Sequence, residues 1–379
     1  MPRTPHRSRS WPAKAAQSKA AQSKAVRRFS SIRPVALLLI VLGVSIVAPG
    51  PAVVFGEESP IEFNQISNMF EPVSKPAEKI HELAELVIAI CAGIFVTVAG
   101  LLLYVILRFR ARPGDARSEP PQVYGSNNLE AAWTIVPVII VVVLFLATAR
   151  TINEIELKEP MEGALEVTVV GHRWWWQFDY PEYGITTANE LHIPVSTDEK
   201  PRPTFLWLES QDVVHSFWIP RLAGKTDVVP NRRNTLWIDT AQPGLYLGQC
   251  AEYCGTQHAH MLLRVYVHSE EEFAAWVEAQ QAPDVVDPSV QAGRDLFQRT
   301  ACINCHTLGG TVADGTYGPT LSHLMSRETI GAGAAWNTEE NLRKWVQDPA
   351  TFKPGVRMPD MKLSSEEVDA LVAYLVTLK

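Results

Sequence analysis

Two long stretches of this chain carry no charge, and they restrict its fold before anything else does. Leu86 to Leu107 runs for 22 residues and Ala131 to Ala149 for 19. A helix rises about 1.5 Å per residue, so each run reaches across a hydrocarbon core of roughly 30 Å. Backbone polar groups in lipid must be satisfied internally, which makes each run a membrane helix. Pro137 lies inside the second, where a membrane helix tolerates it as a kink. The connecting segment holds Arg108, Arg110, Arg112 and Arg117 against only Asp115 and Glu119. Basic loops stay in the cytoplasm. The spacing therefore predicts a hairpin whose loop is cytoplasmic, with Glu57 to Lys79 and everything after residue 150 on the far side.

The start of the chain fits that topology. Residues 1–34 contain nine Lys or Arg and no acid, with Ala-Ala-Gln-Ser-Lys at 15–19 repeated at 20–24. An apolar run from Val35 to Ala48 follows, then Pro49-Gly50-Pro51-Ala52. A basic stretch, a short apolar run and small residues predict a secretory signal, with cleavage within 50–57 and an uncleaved anchor as the alternative. Residues 1–56 are read as this leader, and 57–152 as the hairpin region.

Beyond residue 160 the hydrophobic period shortens to two. Leu165, Val167 and Val169 alternate with Glu166 and Thr168; Leu263, Val265 and Val267 alternate with Arg264 and Tyr266. Thr204 to Leu208 and Thr235 to Asp239 add further short runs between Pro and Gly residues. This pattern predicts an all-β sandwich or barrel over 161–270. A helix from Glu270 to Gln281 and a Pro-containing linker occupy 271–288. Over 289–379, Val290, Gly293, Leu296 and Phe297 share one helical face, and Ser364 with Glu367 forms a capping box ahead of Val368, Leu371, Val372 and Leu375. Two helices flanking a cofactor motif predict a small all-α domain. The formal net charge of -7 gives no basis for nucleic-acid binding.

Four of the five cysteines fall in two clusters. Cys91, the fifth, is expected to be a small buried hydrophobe. The first cluster reads Cys250-Ala-Glu-Tyr-Cys254-Gly-Thr-Gln-His258-Ala-His260-Met261. Thiolates with imidazole and a weak thioether select copper. A disulfide or a zinc site would account for the cysteines but leaves Met261 unused. A two-copper centre needs two bridging thiolates, an imidazole on each metal and weak axial donors. The second imidazole must come from elsewhere: His215 in Asp212-Val-Val-His215 is the best placed, with His172 and His192 as alternatives, and His260 too near His258. The second cluster, Cys302-Ile-Asn-Cys305-His306, is the C-x-x-C-H pattern of covalent haem attachment. His306 is then the proximal ligand. Met358, Met361, Met325 and His323 are candidates for the sixth position, and Gly318-Pro319 for packing at the haem edge. Two one-electron centres point to electron relay.

From about residue 60 to 379 the chain resembles subunit II of haem–copper cytochrome c oxidases, of the kind with a fused C-terminal cytochrome c domain. The resemblance rests on the hairpin, on Gly171-His172-Arg173-Trp174-Trp175-Trp176, on Asp212 to Pro220, and on Pro243-Gly244-Leu-Tyr-Leu-Gly-Gln-Cys250 with the cluster that follows. It implies a multidomain membrane protein: a two-helix transmembrane hairpin, a cupredoxin-like all-β copper domain and an all-α class I cytochrome c domain. It also implies a dinuclear copper centre with His215 and His258 as terminal ligands, Cys250 and Cys254 as bridges, and Met261 and the Glu252 carbonyl as axial donors. The Glu252 side chain would reach a magnesium ion shared with subunit I. Trp174 would be where electrons enter from cytochrome c. By period two, Trp174 and Trp176 share one face and Trp175 the other, so one face is expected in the core and the other towards the surface. Met358 resembles the Met-Pro ligand loop of c-type haem domains. Glu130 reads by itself as a solvated acid at a helix N-terminus; the resemblance places it at the mouth of a proton channel. The function implied is electron intake by a proton-pumping oxidase, from cytochrome c through haem c and copper to subunit I, in a bacterial inner membrane and beside subunit III. A nitric oxide reductase subunit is the alternative; a copper-free quinol-oxidase scaffold conflicts with the intact cysteines.

Overall fold

A computed structural model of the chain describes residues 68–110, 125–283 and 287–379. The leader and signal at 1–56, Glu57 to Ser67, the loop residues Arg112, Asp115, Arg117 and Glu119, and linker residues 284–286 lie outside the described residues.

Helices α1 (Lys75–Arg108) and α2 (Asn127–Ile155) form the hairpin. Both start before their uncharged runs. The polar first turns of α1 are held by ion pairs between Lys79 and Glu82 at 3.0 Å and between His81 and Glu85 at 3.2 Å. Apolar length alone thus understates a helix that continues out of the membrane. The apolar side chains of both helices are left uncovered by the chain itself, as lipid-facing surfaces are. Cys91 is among the exposed positions, against the expectation of burial, because no other described part of the chain packs over that face.

The β domain is a sandwich of two five-stranded sheets. Its strands are β1 (Leu165–His172), β2 (Trp175–Tyr180), β3 (Ile185–Ala188), β4 (Glu190–Pro194), β5 (Thr204–Ser210), β6 (His215–Trp218), β7 (Thr226–Val228), β8 (Asn234–Ile238), β9 (Gly244–Cys250) and β10 (Leu262–His268). One sheet runs β3-β2-β1-β5-β8 and the other β4-β10-β9-β6-β7. The alternating residues Leu165, Val167 and Val169 of β1 and Leu263, Val265 and Val267 of β10 are buried in the core between the sheets, as the period of two requires. The sandwich is tied to the outer ends of both helices. Val73 N–H donates to the Arg221 carbonyl, and Trp237 Nε1 donates to the Ile155 carbonyl at 2.8 Å.

Helix α3 (Glu270–Gln281) begins with a complete capping box, Ser269 with Glu272, and packs Phe273 and Val277 onto the sandwich. The C-terminal domain then holds α4 (Gln291–Arg299), β11 (Thr329–Ile330), β12 (Ala335–Trp336), α5 (Glu339–Gln347) and α6 (Ser365–Leu375). The capping box at Ser364 and Glu367 is formed. Two features exceed the expectation of two helices: α5, whose short amphipathic run buries Leu342 and Val346, and the β11–β12 ribbon. Helices α4 and α6 pack closely where Gly293 faces the Ala370 backbone, and a Cβ at Gly293 would lie 2.0 Å from that carbonyl oxygen.

The C-terminal domain sits directly on the β domain. The buried Glu190 carboxylate accepts from the backbone N–H groups of Glu328 and Thr329 and from the Thr329 hydroxyl. Arg264 pairs with Glu328 at 2.9 Å. Leu262 N–H donates to the Ala332 carbonyl.

Candidate copper and haem sites

Strand β6 starts at His215, β9 ends at Cys250, and the loop leading into β10 supplies the rest, so one end of the sandwich gathers the predicted copper ligands. Cys250 Sγ lies 3.8 Å from Cys254 Sγ. A disulfide requires about 2.05 Å. Two thiolates on one metal, at about 2.3 Å each, sit about 3.8 Å apart in tetrahedral geometry. His215 Nδ1 is 3.9 Å from Cys250 Sγ, and His258 Nδ1 is 3.7 Å from Cys254 Sγ. Met261 Sδ is 3.8 Å from Cys254 Sγ, and the Glu252 carbonyl oxygen is 3.2 Å from Cys250 Sγ. All six predicted donors therefore converge. The Glu252 carboxylate accepts from Tyr253 N–H, and the residue is exposed.

The donor set fits a cation. The Cys250 thiol is pushed well down, first by the hydrogen bond with Cys254 and then by His215, against the opposing effect of burial. The same neighbour and burial push Cys254 up. Two thiols this close cannot both ionise unless positive charge lies between them, and metal binding supplies that charge. His215 is aimed by Asp212, whose Oδ1 lies 2.9 Å from Nε2. That bond fixes the protonated nitrogen and turns Nδ1 towards the sulfur. Gly171 makes room for the ring, since a Cβ there would lie 2.9 Å from His215 Cδ2.

The other histidines are engaged elsewhere. His172 stacks on Trp175 at 4.0 Å, and burial pushes its pKa down to about 4. His192 Nδ1 is 2.8 Å from His268 Nε2, and His260 Nδ1 is 2.8 Å from Gln257 Oε1.

Cys302, Cys305 and His306 open onto one largely apolar cavity with Phe297, Leu342, Leu371, Met358 and Met361. His306 Nδ1 donates to the Pro319 carbonyl at 2.6 Å, which leaves Nε2 as the nitrogen free for iron. Burial lowers its pKa and keeps the imidazole neutral, as a ligand must be. Gly318 lies flat against the ring, where a Cβ would come within 2.6 Å of Cε1. The cavity wall also holds Arg327, buried and bonded to the Thr320 and Ser322 carbonyls, and Arg173 and Arg357 line the same cavity. A haem carries two carboxylates, which such guanidinium groups suit. Both Met358 and Met361 line the cavity; Met325 and His323 are not among its lining residues. His323 Nδ1 donates to the Lys379 carbonyl.

The tryptophan run keeps the expected grouping of Trp174 with Trp176 but departs from it in strand continuity and in burial of the second face. Strand β1 ends at His172 and β2 begins at Trp175, so Trp174 lies in the connection and the period of two does not extend through it. All three tryptophans are buried. Trp174 and Trp176 both belong to the core cluster of the sandwich, Trp175 packs separately with Ala188 and Ala332, and Trp174 and Trp175 line the haem cavity. Trp174 Nε1 donates to the carbonyl of Cys254 at 3.0 Å. One indole thus touches both sites. Asp212, Arg327, Lys353 and Arg357 are contributors that sequence reasoning does not single out. Only Asp212 has a sequence signal, its spacing of three from His215. Glu130, in the first turn of α2, is exposed, and its carboxylate accepts from Ser126 N–H at 3.3 Å.

Comparison with known families matches three segments. Residues 63–149 match the model described as cytochrome C oxidase subunit II, transmembrane domain; 165–267 match cytochrome C oxidase subunit II, periplasmic domain; and 290–379 match cytochrome c. Cytochrome c oxidase subunit 2 of Alkalihalophilus pseudofirmus is 37% identical over 318 residues, covering 82% of this chain and 90% of that protein. The proteins of the same name from Bacillus sp. strain PS3 and Bacillus subtilis are 36% identical over 72% of this chain and 80% of theirs, and 32% identical over 82% and 91%.

Two substitutions test the sites. Cys250→Ser replaces a thiolate with a hard, poorly ionised hydroxyl; the expected result is loss of bound copper and of its paramagnetic signal, with haem retained. Copper content equal to that of the unsubstituted protein would refute the assignment. Met358→Ala is expected to abolish the weak long-wavelength band of methionine-ligated ferric haem and to lower its potential, whereas Met361→Ala leaves both in place. The reverse pattern would assign Met361.

Proposed function

This chain belongs to the cytochrome c oxidase subunit II family, and from that premise we propose how its two sites work together. It is the subunit through which electrons enter a proton-pumping cytochrome c oxidase, passing from cytochrome c through haem c and copper to the haem–copper centre of subunit I, where oxygen is reduced to water. That oxygen-reducing centre is not on this chain. The relatives give no support to a nitric oxide reductase.

In this reading Cys250, Cys254, His215, His258, Met261 and the Glu252 carbonyl would hold a dinuclear copper centre. Cys302 and Cys305 would attach the haem, and His306 and Met358 would hold its iron. Copper and haem, when bound, supply one-electron chemistry; the protein supplies rigidity. A ligand shell built on strand ends moves little when charge arrives, and Asp212 holds His215 in orientation throughout. The single observation that carries the reading is the position of Trp174, which lines the haem cavity on one side and bonds the Cys254 backbone on the other. Electrons enter the copper domain there, and the donor on that face is the protein's own haem domain. Cytochrome c then delivers to the haem domain rather than to Trp174.

The remaining assignments have narrower support. The chain is a membrane protein. The arginine-rich loop supports a hairpin in the bacterial inner membrane, with both redox domains extracytoplasmic. The exposed Glu252 carboxylate is available for a magnesium ion shared with subunit I. Exposure of Glu130 at the loop end of α2 is consistent with a role at a proton-channel mouth in subunit I. Other subunits of the oxidase are implied by the family, with subunit III among those proposed.

Trp174→Phe tests the route. It keeps an aromatic ring in place but removes the N–H bonded to Cys254. Electron transfer from haem c to copper, followed optically after photoreduction of the haem, is expected to slow by roughly tenfold or more, the scale of a small loss of positioning. Haem and copper spectra should be unaltered. An unchanged rate would remove Trp174 from the route.

A further inference from the structure

Lys353 is the one lysine whose side chain is buried among the described residues, at 2% exposure. It lies in the C-terminal domain, in the loop before Met358, and reaches into the seam with the β domain. Its Nζ donates to the carbonyls of Trp174 at 3.0 Å, His260 at 2.9 Å and Gly331 at 2.9 Å. An ammonium has three donors and no acceptor, and here three carbonyls receive them. Two of those carbonyls belong to the copper domain and one to the haem domain. Burial pushes its pKa down to about 7, the direction expected for an ammonium withdrawn from water.

The carbonyls it meets have particular places. Trp174 borders the haem cavity and bonds Cys254; His260 is the neighbour of Met261 on the copper-ligand loop. Contacts beside the lysine repeat the pattern. Gln257 Nε2 donates to the Pro354 carbonyl, and Gly355, at φ 81°, passes over Thr256 so closely that a Cβ would sit 3.3 Å from Thr256 Cγ2. Arg357 lies over the Trp174 ring at 5.9 Å and reaches Asp212 at 3.6 Å. The segment from Lys353 to Arg357 is thus laid along the copper-ligand loop immediately before it turns into the haem cavity at Met358.

We propose that Lys353 is the positioning residue that seats the haem domain on the copper domain, fixing the haem cavity against Trp174 so that electron transfer occurs within one docked arrangement. It rests on the electron route proposed above, and it assigns no chemistry to the lysine. The lysine acts by position alone, through its three carbonyl partners. Arg264 with Glu328, where Glu328 is half exposed, is the weaker kind of tie. Lys353, like the Glu190 carboxylate, is a buried charged group on the seam, and its three donors meet carbonyls of both domains, those of Trp174, His260 and Gly331.

The test uses the assembled oxidase. Spin labels at Glu182→Cys and Glu366→Cys, both exposed and one on each domain, report the interdomain distance in a Cys91→Ser background. In Lys353→Met the distance distribution is expected to broaden, and the haem-to-copper rate to fall by about a hundredfold, the scale of a misplacement of about 1 Å. Haem and copper spectra should stay unchanged, and Lys353→Arg should restore part of both losses. A narrow distribution in Lys353→Met would overturn the proposal, whether the rate falls or not, because the seat would then not depend on the lysine. Missing haem or copper signals in the unsubstituted oxidase would instead defeat the site assignments, a separate failure. If Lys353→Met does not assemble, acetylation of the unsubstituted oxidase decides: Lys353 should resist the reagent while exposed Lys344 and Lys362 react. Equal modification would refute the buried seat.

Discussion

The hydrogen bond from the Trp174 indole to the Cys254 carbonyl is the interaction on which the arrangement depends. It fixes a large aromatic ring to the loop that carries a copper thiolate, and it leaves the far side of that ring as a wall of the haem cavity. An indole N–H buried without a partner would cost about 1–3 kcal/mol, so the ring stays in that orientation. Part of the seam between the two domains is built around this residue: the Arg357 guanidinium lies above its ring, the Lys353 ammonium bonds its carbonyl, and the neighbouring Trp175 packs against Ala332 of the C-terminal domain, while Glu190 and Arg264 tie the domains elsewhere.

The copper site needs this rigidity for a second reason. Its candidate donors come from three parts of the chain, β6, the end of β9 and the loop before β10, and the sandwich brings them together at one end. The two thiols are too close to ionise together without a cation. The site is therefore prepared for metal by electrostatics as well as by shape. The sandwich is also tied to the helix ends through Val73 and Trp237, so its position relative to the two helices is set by direct bonds.

Much of this is legible in the sequence. Uncharged length marks the helices, alternation at Leu165–Val169 and Leu263–Val267 marks the sandwich, and ligand chemistry marks Cys250, Cys254, His258, Met261, Cys302, Cys305 and His306. These signals are local: a few residues whose spacing states what they do. His215 is the best placed of several histidines by sequence, and only contact with Cys250 distinguishes it from His172 and His192. What is illegible arises between domains. Trp174 and Trp175 look like a strand with one wet face until the haem domain covers it. Lys353, Arg327 and Arg357 look like ordinary surface charges in a loop, because their burial comes from docking and folding of distant segments. Cys91 departs from expectation for the opposite reason: its apolar neighbourhood in sequence reads as a protein core, where the chain leaves that face open.

The central claim is that the haem domain stands docked at Trp174 when it passes its electron on. The most direct measurement is the rate of haem-to-copper electron transfer in the unsubstituted oxidase as ionic strength is raised. Screening acts strongly on exposed charges and weakly on buried contacts, with a Debye length of about 10 Å at 0.1 M and about 3 Å at 1 M. A seat made of buried hydrogen bonds predicts a rate that stays level across that range. A rate that falls steeply with salt would show a tethered domain that must find its partner by surface charge at each turnover, and would contradict the account.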